Sequence, residues 1–174
     1  MANPTMALIA SNTVGSSGSA SVTFSSIPAT YTDLIVYVSA RDTSSAVGQT
    51  LAMRLNGDST TGNYSWIRLE GNGATASSGS GLSDNALVAG ATVGSTATAN
   101  TFDSSYIYIS NYLSANYKSM SFDTVSENNA TTAYADLNAG LWKTTNPITS
   151  ITLYGTSGNF VQYSTFYLYG IKNS

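Results

Sequence analysis

Nine carboxylates carry most of the acid–base capacity of this 174-residue chain, which contains neither histidine nor cysteine. They are Asp33, Asp42, Asp58, Glu70, Asp84, Asp103, Asp123, Glu127 and Asp136. Two of them about 5–9.5 Å apart, one with a raised pKa, could hydrolyse a glycosidic bond. Several fall at the strand ends and turns of the chain's alternating pattern, where Asp bonds nearby backbone amides instead. The missing residue types exclude imidazole proton shuttling, thiolate attack, Ser-His triads and the usual zinc sites. A serine nucleophile would need Lys or a carboxylate as its base, and neither a Ser-x-x-Lys motif nor a Gly-x-Ser-x-Gly elbow occurs. Asn56-Gly57-Asp58-Ser59-Thr60 offers oxygens at alternate positions like the start of a calcium loop, but lacks the later acidic ligands. It reads as an Asn-Gly turn, and no metal, cofactor or catalytic residue is assigned.

Aromatic side chains are the richer resource, with 12 Tyr, 5 Phe and 2 Trp. Near the C-terminus, Tyr163, Tyr167, Tyr169 and Ile171 fall on one face of a period-two pattern, with Phe166 and Leu168 on the other. One reading is a central strand with core on one side and packed tyrosines on the other. Another is a tyrosine face that meets a second subunit, since interface centres are poor in charge and rich in Tyr and Trp. Trp66 and Trp142 fall on what reads as the outward face of their strands, where each could stack on a sugar, anchor a protein contact or pack under a loop. Trp66, Trp142, Tyr163, Tyr167 and Tyr169 are therefore the candidate oligomer or partner contacts.

The elements that must position these residues are strands. Apolar residues alternate with polar ones at period two along almost the whole chain, and helical periodicity is nearly absent. Leu51, Met53 and Leu55 share one face. Ser65, Ile67 and Leu69 oppose Tyr64, Trp66, Arg68 and Glu70, and Asn56 through Gly62 reads as the turn of a hairpin joining the two strands. Ala133, Ala135, Leu137, Ala139 and Leu141 oppose Tyr134, Asp136, Asn138 and Trp142. Further strands are expected near 5–11, 19–25, 33–40, 85–92, 101–110, 117–126, 147–155 and 163–172. The Gly/Ser-rich stretch from Gly71 to Ser83 has no large apolar residue before Leu82 and reads as an exposed, mobile loop, and residues 11–19 as a hairpin tip. The sum is an all-β fold, an antiparallel β-sandwich with a jelly roll of about eight main strands. One domain spans 1–174, with a short N-terminal arm over residues 1–5.

Composition narrows the function classes. Charged residues make up 9% of the chain against a typical ~25%, while 28 Ser and 23 Thr supply its polarity. A net charge of −3 and six scattered Lys and Arg leave no phosphate-binding footprint, so no nucleic-acid partner is expected. No apolar run approaches ~20 residues and no basic leader precedes one, so neither membrane binding nor secretion is expected, and synthesis is assigned to a cytoplasm.

Four segments carry a family resemblance: Ser21-Val22-Thr23-Phe24-Ser25-Ser26-Ile27-Pro28-Ala29-Thr30-Tyr31-Thr32-Asp33-Leu34; Leu55-Asn56-Gly57-Asp58 with Asn63-Tyr64-Ser65; Ile107-Tyr108-Ile109-Ser110-Asn111-Tyr112; and Phe166-Tyr167-Leu168-Tyr169-Gly170-Ile171-Lys172. Together they resemble virion structural proteins of tailed bacteriophages, particularly those infecting cyanobacteria and other aquatic bacteria. The resemblance implies a non-enzymatic particle component. Small jelly-roll proteins of such phages serve as capsid cement or decoration proteins, often as homotrimers at junctions between major capsid proteins, and the acidic balance of this chain favours the outer surface of the capsid. Others form head or tail fibres, so the alternative expectation is a receptor-binding module gripping host-surface polysaccharide. A glycoside hydrolase working through carboxylates alone is the third.

Overall fold

The computed structural model describes residues 5–130 and 132–172, which form strands and connecting loops with no helix. Twelve strands follow one another: β1 Met6–Thr13, β2 Ser21–Phe24, β3 Asp33–Ser39, β4 Gly48–Leu55, β5 Tyr64–Gly71, β6 Ala76–Asp84, β7 Leu87–Val93, β8 Ser104–Ile109, β9 Lys118–Val125, β10 Ala135–Trp142, β11 Ile151–Gly155 and β12 Thr165–Ile171. They build an eight-stranded sheet in the order β1-β12-β3-β8-β9-β10-β5-β6 and a four-stranded sheet in the order β2-β11-β4-β7. Every pairing between neighbouring strands is antiparallel. The all-β antiparallel sandwich read from the sequence is the observed architecture. It has twelve strands rather than about eight, the extra four being the hairpins β5–β6 and β9–β10, which lengthen the large sheet.

The alternating pattern does its work between the sheets. Leu34, Val36 and Val38 of β3, Ile107 and Ile109 of β8, and Phe166 and Leu168 of β12 are buried against Val22, Phe24, Leu51, Met53, Leu55, Ile151 and Leu153 of the small sheet. Each large aliphatic or aromatic side chain so enclosed contributes on the order of 1.5–3 kcal/mol of transfer free energy, which supports a core without crosslinks. The small sheet reaches only partway across the large one. Its edge strand β7 lies against β9, β10 and β5. Closeness there demands glycine: Gly90 has φ +130°, and a Cβ on it would collide with the Thr124 side chain.

Three sequence expectations are corrected. The stretch read as a mobile loop over Gly71 to Ser83 is largely strand β6, paired with β5 from Ala76↔Gly71 to Asp84↔Tyr64. Its lack of large residues before Leu82 follows from its position at the sheet edge and from the Trp66 indole lying across it, where a Cβ on Gly81 would run into that ring. The turn ahead of it is closed by Asn72, whose Oδ1 accepts from Ala74 N at 3.0 Å and Thr75 N at 2.8 Å. Second, β4 and β5 are not a hairpin, because they belong to different sheets. The Asn56-Gly57 turn does form, with φ 53° and 67° and Asp58 N donating to Leu55 O at 2.9 Å, the geometry of a type I′ turn. The chain then crosses to the other sheet, while the Asn56 side chain accepts from Thr149 N at 2.8 Å and donates to Pro147 O at 2.8 Å. Third, residues 11–19 are no hairpin tip, since β1 and β2 also lie in different sheets. The N-terminal arm expected over residues 1–5 falls, apart from Thr5, outside the described residues.

Two carboxylates lie at the heart of the loops that close one end of the sandwich. Asp42 accepts from Ser44 N at 2.9 Å and Thr92 Oγ1 at 2.9 Å, and Asp103 accepts from Ala40 N and from Ser105 Oγ at 3.1 Å. Burial, reinforced by the Asp42 charge, pushes Asp103 up to about 8 against the pull of its two donors. Asp136 is also raised, to about 6, by burial. A carboxyl whose folded pKa exceeds its unfolded ~3.9 stabilises most fully at low pH and loses that contribution as pH rises through the folded value. Thermal stability should therefore fall between about pH 6 and pH 8, above the titration of Asp136, and Asp103→Asn should flatten that slope. A melting series over this window checks it, and an unchanged slope in the variant would refute the assignment to Asp103.

Candidate functional site

The two sandwich faces that look away from the core differ sharply. On the small sheet the outward positions are polar: Thr23 Oγ1 lies 3.0 Å from Thr152 Oγ1, and the Arg54 guanidinium sits 5.1 Å from the centre of the Tyr154 ring. On the large sheet tyrosine and aliphatic side chains predominate, interspersed with Ser11, Ser78, Ser80, Ser121 and Asp123, and of these residues Ile35 is only 7% exposed. Register places these residues in continuous rows. One row runs Ser11, Tyr167, Tyr37, Tyr106, Asp123, Leu137, Leu69, Ser78 across all eight strands. The next runs Leu8, Tyr169, Ile35, Tyr108, Ser121, Ala139, Ile67, Ser80.

The face thus has two halves. Over β12, β3 and β8 it is a tyrosine cluster, with Tyr37 5.5 Å from Tyr106 and 5.9 Å from Tyr169, ring centre to ring centre, in the tilted and edge-on packing that aromatic quadrupoles favour. A hydrogen bond from Tyr108 to Asp33 at 2.6 Å, together with burial, raises the Tyr108 phenol to about 12. Over β10 and β5, and at Leu82 of β6, the face is aliphatic, with Ile67 59% exposed, Leu69 55%, Leu137 58% and Leu82 74%, while β9 presents Ser119, Ser121, Asp123 and Val125. Two shallow grooves run through this half. One of about 480 Å³ is lined by Leu69, Ala76, Asp123 and Leu137, and one of about 270 Å³ by Ile67, Leu82, Ala139 and Leu141. Asp123 is the one exposed charged side chain at the outward strand positions of the described residues.

The aliphatic half was missed by sequence reading because β5 and β10 are turned the other way. Trp142 is 1% exposed, so the outward position expected for it is overturned, and it cannot touch a partner in this fold. Trp66 is partly buried against the core, with Nε1 donating to Asp84 Oδ2 at 2.5 Å. Trp142 Nε1 donates to Asp58 Oδ2 at 2.8 Å, and the Lys118 ammonium sits 5.9 Å from the Trp142 ring while donating to the Asn116 and Asn146 carbonyls. Tyr64 is fully enclosed, and its hydroxyl is shared between the Leu55 backbone and Asp58 O. Arg68 pairs with Glu70 at 3.1 Å. Polar partners for each large inward side chain leave the aliphatic residues of the same strands in solvent. Tyr167 and Tyr169 do share the outward face, whereas Tyr163, 69% exposed with φ +73°, belongs to the loop before β12.

Most of the acids are engaged by nearby donors or enclosed, while Asp136, raised by burial and by the Glu70 charge, stands opposite Glu70 across the β10–β5 pairing at the larger groove. Asp33, Asp58 and Asp84 receive side-chain donors, Glu127 caps Asn129 N at 2.7 Å, and Asp42 and Asp103 are enclosed. The oxygens of Asn56 and Asp58 are engaged by nearby donors, and no group of three or more Asp or Glu among the described residues could hold a metal ion. No family model matches the chain, and no curated protein is similar to it.

Asp58 offers a test of the inward turn. Burial opposes its charge, but donors from Trp142, Thr60 and Asn63 outweigh it and hold the carboxyl down at about 2. A depressed carboxyl stabilises above its unfolded ~3.9, and the contribution disappears as pH falls through 2. Trp142→Phe should destabilise by about 2 kcal/mol or more near neutral pH, combining a lost charged hydrogen bond with lost packing. The penalty should shrink near pH 2. Urea titrations at the two pH values measure it, and a pH-independent penalty would mean the hydrogen bond contributes nothing.

Proposed function

We propose that this chain is a non-enzymatic structural protein of a tailed-phage particle, a capsid cement or decoration protein that works by burying the outer face of its large sheet against other protein. The observation that carries the reading is that face: eight strands wide, rich in tyrosine and aliphatic side chains among serines, with one exposed carboxylate. Exposed apolar patches of this extent are rare on monomers and mark interaction surfaces. A nearly charge-free surface is desolvated cheaply, which suits permanent contacts.

The strand order adds support. With the hairpins β5–β6 and β9–β10 set aside, β1-β12-β3-β8 over β2-β11-β4-β7 is the order in which the eight strands of a jelly roll alternate between two sheets. The expected partners are further copies of the chain, as a homotrimer by the resemblance of the sequence to phage virion proteins, and a major capsid protein, on the outer surface of the virion. The polysaccharide-gripping alternative loses its two best stacking platforms, since Trp142 is enclosed and Trp66 packs against the core.

The test is co-sedimentation with empty shells assembled from the major capsid protein of a phage that carries this chain. Wild-type protein should saturate the shells, and Leu69→Glu should lower affinity at least tenfold while leaving the melting temperature within a degree or two, because Leu69 is exposed in the isolated chain. Absence of binding, or full binding by the variant, would overturn the proposal.

A further inference from the structure

We infer that the first occupant of the large outward face is a second copy of the same chain, packed face to face about a two-fold axis that runs parallel to the strands between β8 and β9. This rests on the reading that the face is buried by protein, and names the protein.

The order of side chains in the rows points to this pairing. A two-fold axis lying between the two faces and along the strands lays each row on its own reversal. The row Ser11, Tyr167, Tyr37, Tyr106, Asp123, Leu137, Leu69, Ser78 then pairs Tyr106 with Asp123 of the other copy, Tyr37 with Leu137, Tyr167 with Leu69, and Ser11 with Ser78. In the neighbouring row Tyr108 meets Ser121, Ile35 meets Ala139, Tyr169 meets Ile67, and Leu8 meets Ser80. In three of these eight pairs, Tyr37–Leu137, Tyr167–Leu69 and Tyr169–Ile67, tyrosine covers aliphatic. Large rings fall opposite the grooved half.

Charge decides the position of the axis. Asp123 is the one exposed carboxylate on the face, and its side chain bonds to no other among the described residues, nor does the Tyr106 hydroxyl. Buried against apolar groups, Asp123 would be an uncompensated charge. The two-fold places a phenol hydroxyl over it, and the hydroxyl donates a charge-assisted hydrogen bond to the carboxylate twice per dimer. Area agrees. Eight strands about 4.8 Å apart, six to nine residues long at about 3.3 Å per residue, give a face of roughly 900 Å² per copy, against about 800 Å² for a standard stable interface. Symmetry also favours the pair over the homotrimer expected by resemblance. The two halves look the same way, so bringing one against the other requires reversing the face normal, which a two-fold in the plane does and a three-fold does not.

The experiment uses the full chain in solution. Sedimentation equilibrium should give twice the 18.1 kDa chain mass at micromolar concentration. Leu137→Glu should yield monomer with unchanged circular dichroism, and Tyr106→Phe should weaken the dimer roughly ten- to a hundredfold. Because the wild type has no cysteine, a short bis-maleimide can map the register. The double variant Tyr37→Cys, Leu137→Cys should crosslink into dimers, and either single variant should not. A monomeric wild type, a trimer, a dimer indifferent to Leu137→Glu, or single variants that crosslink as well as the double would each overturn the inference. A monomer that still coats shells would sink the dimer and spare the proposed function. A dimer that ignores shells would do the reverse.

Discussion

The hydrogen bond from the Trp142 indole to the Asp58 carboxylate holds the arrangement on which the rest of the molecule depends. Turning a tryptophan inward is favourable only if its N–H keeps a partner, and Asp58 supplies one from the turn that leaves β4. Once Trp142 points in, so do Asn138 and Asp136, four and six residues earlier on the same strand, and Leu137 and Leu141 must point out. Trp66 and Asp84 repeat the device one strand over. A pair of capped indoles therefore sets which side of four strands meets water.

That choice leaves polar groups inside and apolar groups outside at one end of the large sheet, the reverse of the usual distribution. The inward side is only partly compensated: Arg68 pairs with Glu70 and Lys118 donates to backbone carbonyls, while the buried Asp136 carboxyl, without a hydrogen-bond partner, is pushed up by burial. The outward side has no such compensation. Its cost falls away only when another surface takes the place of water, so the energetics of the inner layer and the capacity for assembly are one problem.

The periodicity of the sequence located the strands well. All twelve lie within or beside a period-two segment except β6, whose Ser/Gly composition carries no burial signal because a sheet-edge strand under an indole needs small residues rather than apolar ones. Turn chemistry was equally legible at Asn56-Gly57, although the same turn did not make a hairpin. The path of the chain after a tight turn depends on where the next strand finds partners, and β5 finds them in β10 and β6. The tyrosines of β12 were visible as a face. Their continuation through Tyr37 and Tyr106 was not, since it requires pairing strands distant in sequence.

By itself the sequence determined the class of the fold, the poverty of charge and the absence of imidazole and thiol chemistry, because each is set by residue types and by the two-residue repeat of an extended chain. Only the tertiary structure decided which of the two faces of β5 and β10 is buried. Alternation is symmetric to exchange of its faces, and the tie was broken by hydrogen-bond partners for two indoles, contributed by residues far along the chain.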